Sequence, residues 1–160
     1  MTRLSVIVRA AVLAVSLAAA IAVPAEAQAV IDGGTIVLEG RDVRLWGVDA
    51  PDLDEVCGGW AAGRLAAAAL QKLIANRSIV CQARGVDHQG RIFGRCRAGG
   101  VDLSAAMVRE GWAWALVDYS RDYVAQETQA KAENIGVHEH QCEPASQWRQ
   151  AHHAHPEKPR

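Results

Sequence analysis

Arg44-Leu45-Trp46-Gly47-Val48-Asp49-Ala50-Pro51-Asp52 is the stretch on which the fold assignment depends. It begins as a β-strand and ends with two carboxylates around a proline. A second stretch, Asp87-His88-Gln89-Gly90-Arg91, again places an arginine close to an acidic residue. A guanidinium can bind two phosphate oxygens at once, and a carboxylate can hold a hard cation or accept a proton from water. Together the two stretches predict the chemistry of a phosphodiester hydrolase.

Strand and helix patterns surround these stretches. The predicted strands are residues 30–31, 35–38, 42–48, 78–84 and 91–97. Residues 35–38 and 42–48 are predicted to form one hairpin, and residues 78–84 and 91–97 a second. The predicted helices are residues 60–75, 103–109 and 122–134. In the first helix Leu65, Ala69 and Leu73 share one face, and Asp122 is the predicted N-cap of the last. This order predicts an α+β domain, with a small Greek-key barrel as the architecture it allows.

The first 27 residues have the composition of a cleaved signal peptide. Arg3 and Arg9 form a positive front, residues 10–23 are apolar, and Ala25-Glu26-Ala27 fits the signal peptidase site. The alternative is a membrane anchor, but Arg9 interrupts the apolar run. We therefore predict a periplasmic or secreted protein with no membrane segment after cleavage, a single domain over residues 28–149, and a polar, disordered tail over residues 150–160.

The charge of the chain limits how it can bind a polyanion. The formal net charge is −1, with 17 basic and 18 acidic residues, so there is no overall basic field that attracts nucleic acid. Any phosphate must therefore be bound by a few local side chains.

The four cysteines predict two disulfides, because an exported domain folds in an oxidising compartment and no Cys-x-x-Cys pair is present. Four cysteines allow three pairings. Cys81 and Cys96 are symmetric about the turn of the second hairpin, so they would face each other across two strands. We favour this bridge, which leaves Cys57 to pair with Cys142.

Several short motifs in the right order make residues 30–148 resemble the staphylococcal nuclease (thermonuclease) family, in its exported bacterial branch. The matching stretches are Asp32-Gly33 with Thr35, residues 44–52, Asp87 with Gly90-Arg91, Asp102-Leu103, Gly111 with Ala113, and a tail motif of Gly136, Pro144, Trp148 and Arg149. The resemblance implies a five-stranded OB-fold barrel packed with three helices. It also implies calcium-dependent hydrolysis of DNA and RNA.

Two arginines of that family hold the scissile phosphate, and they match Arg44 and Arg91. Charge builds on the phosphate oxygens during attack, and fixed guanidinium donors stabilise that charge. The alternative for either arginine alone is an ordinary solvated surface residue.

The calcium ligands of that family are two aspartates, and this chain has an aspartate at one of the two positions. Gly34 stands where the first would be, and Asp49 matches the second. Because calcium prefers six to eight oxygen ligands, we expect its binding to be weak or absent. The family's general base is a glutamate, and Asp52 occupies that position with a carboxylate one methylene shorter. Asp54 and Glu55, just downstream, are expected to lie in a solvated loop.

The aromatic residues that flank the substrate are also reduced in number. Tyr119 matches one of a pair of tyrosines, whereas Val117 replaces the other, and Gln89 stands where the family often has an aromatic. Because stacking contributes about 1–3 kcal/mol per base, we expect weaker nucleotide binding, with Tyr119 as the remaining substrate contact.

Two functions are therefore open. The first is an exported, monomeric nuclease in which Arg44 and Arg91 bind phosphate, Asp49 binds a weakly held cation and Asp52 is the base. The second is a catalytically degenerate OB-fold module that binds nucleic acid, a nucleotide or a protein without turnover.

Overall fold

The chain alternates short strands with helices over residues 29–87 and 90–152, which the computed structural model describes. The strands are β1 (Ala29–Asp32), β2 (Thr35–Leu38), β3 (Arg41–Leu45), β4 (Val48–Asp49), β5 (Ile79–Val86), β6 (Ile92–Ala98), β7 (Val101–Asp102) and β8 (Trp114–Ala115). The helices are α1 (Ala62–Ile74), α2 (Leu103–Arg109), α3 (Val124–Glu133) and α4 (Ala145–His152).

Three of these helices were predicted and α4 was not. Residues 150–152, which we assigned to the disordered tail, form its last part. The N-cap of α3 is Tyr123, without a side-chain hydrogen bond, so the predicted capping by Asp122 is wrong. The proposed signal peptide, His88, Gln89 and residues 153–160 lie outside the described residues.

The main sheet has the order β1-β2-β3-β6-β5, with β7 attached to β6. All its neighbours are antiparallel except β3 and β6, which run parallel. The expected α+β, OB-fold-like class is thus confirmed, and the described sheet is open where we expected a five-stranded barrel. Gly47, with a φ of 71°, turns the chain away after β3, and β4 pairs with β8 in a separate two-stranded sheet.

The hairpin between β2 and β3 turns at Glu39 and Gly40, which have φ angles of 51° and 72°. Two successive residues with positive φ match the right-handed twist of the flanking strands. The turn fixes a register in which Thr35 lies opposite Arg44.

The core lies between the main sheet and helices α1 and α2. Ile36, Leu45, Leu70 and Leu103 are fully or almost fully buried in it. Leu65 is exposed, contrary to the predicted helix face. The small residue Ala66 is buried instead, and it lies so close to Gly33 that a Cβ on Gly33 would be 2.6 Å from the Cβ of Ala66. A smaller cluster of Trp114, Val137 and Ala145 packs at the start of α4, with Trp60 and Cys142 against it.

Both predicted disulfides are present. Cys81 and Cys96 are direct partners in the register of β5 and β6. Cys57 is bonded to Cys142, 85 positions further along the chain, which ties the loop before α1 to the segment that leads into α4. Within the described ranges, no helix has the length and apolar character needed to cross a bilayer.

Candidate active site

A cavity of about 440 Å³ opens at the edge of the main sheet and is lined by residues from distant parts of the sequence. Its charged lining consists of Asp32, Arg44, Asp52, Asp54, Arg91 and Arg149. A second cavity of about 350 Å³ has Asp49, Phe93 and Tyr119 in its wall. Arg44 and Arg149 line both cavities, so the two spaces share these cations.

The parallel pairing of β3 and β6 brings the two predicted phosphate-binding arginines together. Arg44 is in register with Phe93, two residues after Arg91. The guanidinium carbon of Arg44 lies 5.9 Å from the centre of the Phe93 ring, within range of a cation–π contact. Arg44 forms no salt bridge with any carboxylate in the described part of the chain. Its donors are therefore available to an anion.

Arg91 is held in place by its own loop. Its Nε donates to Oδ2 of Asp87 at 2.7 Å, and its backbone N–H donates to Oδ1 of the same carboxylate at 2.9 Å. These bonds use Nε, and a guanidinium carries four further N–H groups on its two Nη atoms. Arg91 can therefore bind phosphate while its position is fixed by Asp87.

Asp49 and Asp52, the predicted cation ligand and base, are both bound by Arg149. Nη2 of Arg149 lies 2.6 Å from Oδ1 of Asp49, and Nη1 lies 2.8 Å from Oδ1 of Asp52. The second oxygen of Asp49 accepts the backbone N–H of Ser146 at 2.9 Å. Asp49 is thus a buried carboxylate that fixes the first turn of α4 and pairs with a residue one turn later.

Burial alone would lower the pKa of Arg149, but hydrogen bonds and charge from Asp49 and Asp52 outweigh it and raise that pKa above its usual value. Arg149 therefore carries a positive charge at every pH at which the protein is folded. Sequence reasoning assigned no role to this residue, although the tail motif contained it. The missing information was that α4 returns to the sheet edge.

Gly34 stands where the resemblance places the first metal aspartate, and Asp32 lies two residues before it. The carboxylate of Asp32 accepts the backbone N–H of Gly34 at 2.7 Å and the hydroxyl of Thr35 at 3.1 Å. Gly34 itself contributes no side chain. Asp32 therefore stabilises the turn between β1 and β2.

These donors do not fit a calcium ion. Within residues 29–87 and 90–152 no group of three His, Cys, Asp or Glu side chains is arranged to hold a metal. Asp49 offers two oxygens that already accept hydrogen bonds, and Gly34 offers none. Calcium needs at least six oxygens, which this arrangement does not supply.

Glu55 is a buried carboxyl group next to the site. We expected Glu55 to belong to a solvated loop, but its residue exposure is 1%. Its backbone N–H donates to the carbonyl of Asp52, and its carbonyl accepts the N–H of Gly63, which draws it under the start of α1. Burial, aided by the charge of Asp52, raises the pKa of Glu55 from 4.5 to about 7.

The predicted substrate contact Tyr119 is exposed and lines the second cavity. Its ring centre lies 6.2 Å from that of Phe93, which sequence reasoning missed because one phenylalanine in a strand is typical of a core. The two rings form an aromatic wall beside Arg44.

The chain is similar in sequence to a known family and to several known proteins. The staphylococcal nuclease homologue family matches residues 42–139, which include Arg44, Asp49, Asp52, Arg91 and Tyr119. The chain is 36% identical to the succinoglycan biosynthesis protein ExoI of Rhizobium meliloti (strain 1021), over 71% of this chain and 65% of that protein, just under two thirds of its length.

Two further relatives carry nuclease names. An uncharacterized endonuclease of Escherichia coli is 32% identical, over 64% of this chain and 67% of the relative. A micrococcal nuclease of Shigella flexneri is 32% identical over 84% of both chains. The matched family segment covers more than half of the chain and includes Arg44 and Arg91, the predicted phosphate-binding residues, together with Asp49 and Asp52. The chain belongs to the staphylococcal nuclease homologue family.

Proposed function

We propose that this protein is an exported phosphodiesterase that hydrolyses DNA or RNA. The observation that carries the proposal is that Arg44, Arg91 and Asp52 line one cavity although 47 positions separate the first arginine from the second. Two cations for the phosphate and one carboxylate for water are the groups that this hydrolysis requires. The names of the relatives point to the same class of reaction.

The two arginines bind the phosphodiester and stabilise its transition state. Attack by water increases the negative charge on the non-bridging oxygens, and preorganised guanidinium groups stabilise that charge without having to reorient. Asp87 holds Arg91 for this purpose, and the ring of Phe93 supports Arg44.

Asp52 is the group that accepts the proton of the attacking water. The water oxygen forms a bond to phosphorus while the bond to the leaving ester oxygen breaks. The leaving oxygen takes up a proton from solvent, and Asp52 later returns its proton to solvent, so the base is regenerated. Arg149 pairs with Oδ1 of Asp52 and so fixes the position of this carboxylate in the wall of the cavity.

Export is supported by the two disulfides, because such bonds persist in oxidising compartments. A periplasmic or secreted location, with a monomeric protein free of the membrane after removal of residues 1–27, follows from the leader sequence and stays a prediction.

The test is cleavage of single-stranded DNA and of RNA by the disulfide-bonded protein. Arg44→Ala and Arg91→Ala should each reduce kcat by about 10²- to 10³-fold, and Asp52→Asn should abolish measurable turnover. Arg41→Ala is the matched control, because Arg41 is an exposed residue of the same strand as Arg44. Equal activity of the wild type and the Arg44→Ala and Arg91→Ala variants would refute the proposed site.

Binding without turnover is a second candidate function, and one contact favours it. The ion pair between Arg149 and Asp52 occupies an oxygen of the residue that must accept the proton. Tight binding of nucleic acid without cleavage, lost in Arg44→Ala, would identify the protein as such a binding module.

A further inference from the structure

Three arginines, Arg44, Arg91 and Arg149, line one cavity, and the third comes from a helix outside the segment that matches the family. Arg149 lies between Asp49 and Asp52, at hydrogen-bonding distance from both. A positive group therefore pairs with Asp49, the carboxylate that the family resemblance assigns to a divalent cation.

The charges of this site are balanced without a divalent ion. In the arrangement implied by the resemblance, two aspartates neutralise a cation of charge +2. Here one of the two aspartates is replaced by Gly34, and the remaining Asp49 faces the single positive charge of Arg149. Compared with the arrangement implied by the resemblance, this site has one carboxylate fewer, and its cation has a charge of +1 where the metal ion has a charge of +2.

The guanidinium of Arg149 also retains capacity to bind a ligand. It has five N–H groups, and the ion pairs with Asp49 and Asp52 require one from each Nη atom. The remaining donors belong to a side chain that is about 30% exposed and lines the cavity. Arg149 can therefore donate to a phosphate oxygen while it stays paired with both aspartates.

The surrounding structure fixes Arg149 before any substrate arrives. The preceding residue, Trp148, is buried, Ser146 is bonded to Asp49, and the bridge from Cys57 to Cys142 ends three residues before α4. A cation on such a support costs no reorganisation when the phosphate binds.

We propose that the Arg149 guanidinium takes the place of the divalent cation, binding the substrate phosphate together with Arg44 and Arg91, so that neither binding nor cleavage requires calcium. The cleavage part rests on the proposed hydrolase function. The binding part does not, and it can be measured separately.

The experiment measures binding of a nucleoside 3′,5′-bisphosphate by calorimetry, with the full disulfide-bonded protein, once with chelator and once with calcium. We expect the same Kd in both conditions. Arg149→Met should raise the Kd by about ten- to a hundredfold, the effect of losing a charge-assisted hydrogen bond. Arg109→Met is the matched control, since Arg109 pairs with Glu133 and contributes to neither cavity of the site. Far-UV circular dichroism checks the folding of both variants.

A tighter Kd with calcium in the wild type would overturn the inference, and this comparison needs no variant. An unchanged Kd in folded Arg149→Met would overturn it as well, as would a complete lack of binding, which would also remove the proposed function. Equal Kd values without any cleavage would support the cation role of Arg149 and refute hydrolysis alone.

A gain-of-function variant provides an independent readout. A Cβ on Gly34 would lie 3.4 Å from the nearest atom, an ordinary contact, so an aspartate can be introduced there. We expect Gly34→Asp combined with Arg149→Met to bind calcium with measurable heat and to make bisphosphate binding calcium-dependent. Calcium heat in the wild type equal to that of this double variant would contradict the inference.

Discussion

Nε of Arg91 lies 2.7 Å from Oδ2 of Asp87, four residues earlier in the same loop. The Asp87 side chain is only 6% exposed, whereas that of Arg91 is 32% exposed. The contact is therefore a charge-assisted hydrogen bond that the partly exposed Arg91 donates to the shielded carboxylate of Asp87. Asp87 therefore fixes the position of Arg91, the residue that we propose binds phosphate.

We expect Asp87→Asn to lower kcat about tenfold or more, because small misplacements of a catalytic group have large effects on rate. Combined with Arg91→Ala it should add almost nothing, since the two residues act through one guanidinium. Asp122→Asn is the control, because Asp122 pairs with Arg95 in an exposed position away from the cavity. Additive losses in the double variant would show that Asp87 has a role of its own.

Arg149→Met should destabilise the protein by about 2–3 kcal/mol, because it leaves Asp49 buried without its cation. This loss of stability is smaller than for a fully buried ion pair, because Arg149 is partly exposed and solvent weakens its interaction with Asp49. Adding Asp49→Asn should recover part of the loss. Urea unfolding of the wild type and of both variants measures these changes, and a double variant less stable than Arg149→Met would contradict this explanation.

Glu55 should make stability depend on pH between about 4.5 and 7, the span between its ordinary and its raised pKa. Below this range the carboxyl is protonated in both states, and above it the folded protein bears the full cost of a buried charge. Stability attributable to Glu55 therefore falls as pH rises through the range, by about 3 kcal/mol in total.

Glu55→Gln isolates this dependence, because the amide keeps an acceptor for the N–H of Asp52 and does not ionise. The difference in unfolding free energy between the variant and the wild type should grow in favour of the variant as pH rises. A difference that stays constant from pH 4 to pH 8 would mean that Glu55 keeps an ordinary pKa.

Removal of the bridge between Cys57 and Cys142 should cost about 4 kcal/mol, and removal of that between Cys81 and Cys96 about 3 kcal/mol, because the first closes the longer loop. Paired alanine variants measured by denaturant unfolding check the order. Only the first pair should also weaken bisphosphate binding, since it supports α4 and Arg149. Equal bisphosphate binding by both paired variants would show that the bridge between Cys57 and Cys142 does not support the binding site.

The sequence was sufficient for the five strands along the main sheet, for three helices and for both disulfides, since each rests on local periodicity or on symmetry about a turn. The two-residue strands β7 and β8 were not predicted. Residues 103–109 were predicted to the residue, because Asp102 caps the helix and Gly111 follows it. The open sheet was not predicted. It depends on whether residues after Gly47 stay in the sheet or pair with β8, which local pattern does not indicate.

The site was predictable where motifs carry it and not where tertiary contacts create it. Arg44, Arg91 and Asp52, which line one cavity, were predicted as site residues because they belong to recognisable stretches. Arg149 was missed because about 100 positions separate it from Asp49, its partner. Glu55 was misplaced because an acidic residue next to Asp52 and Asp54 has the pattern of a solvated loop, and only the packing of α1 buries it.

Helix α4 closes the longest-range contacts of the site, and this has a consequence for biosynthesis. A chain that is still on the ribosome contains Arg44 and Arg91 well before Cys142 and Arg149 have been added. The third cation reaches the cavity only when α4 docks, and the bridge that supports it forms only under oxidising conditions. The cavity is therefore completed only by the last described helix of the chain to be synthesised.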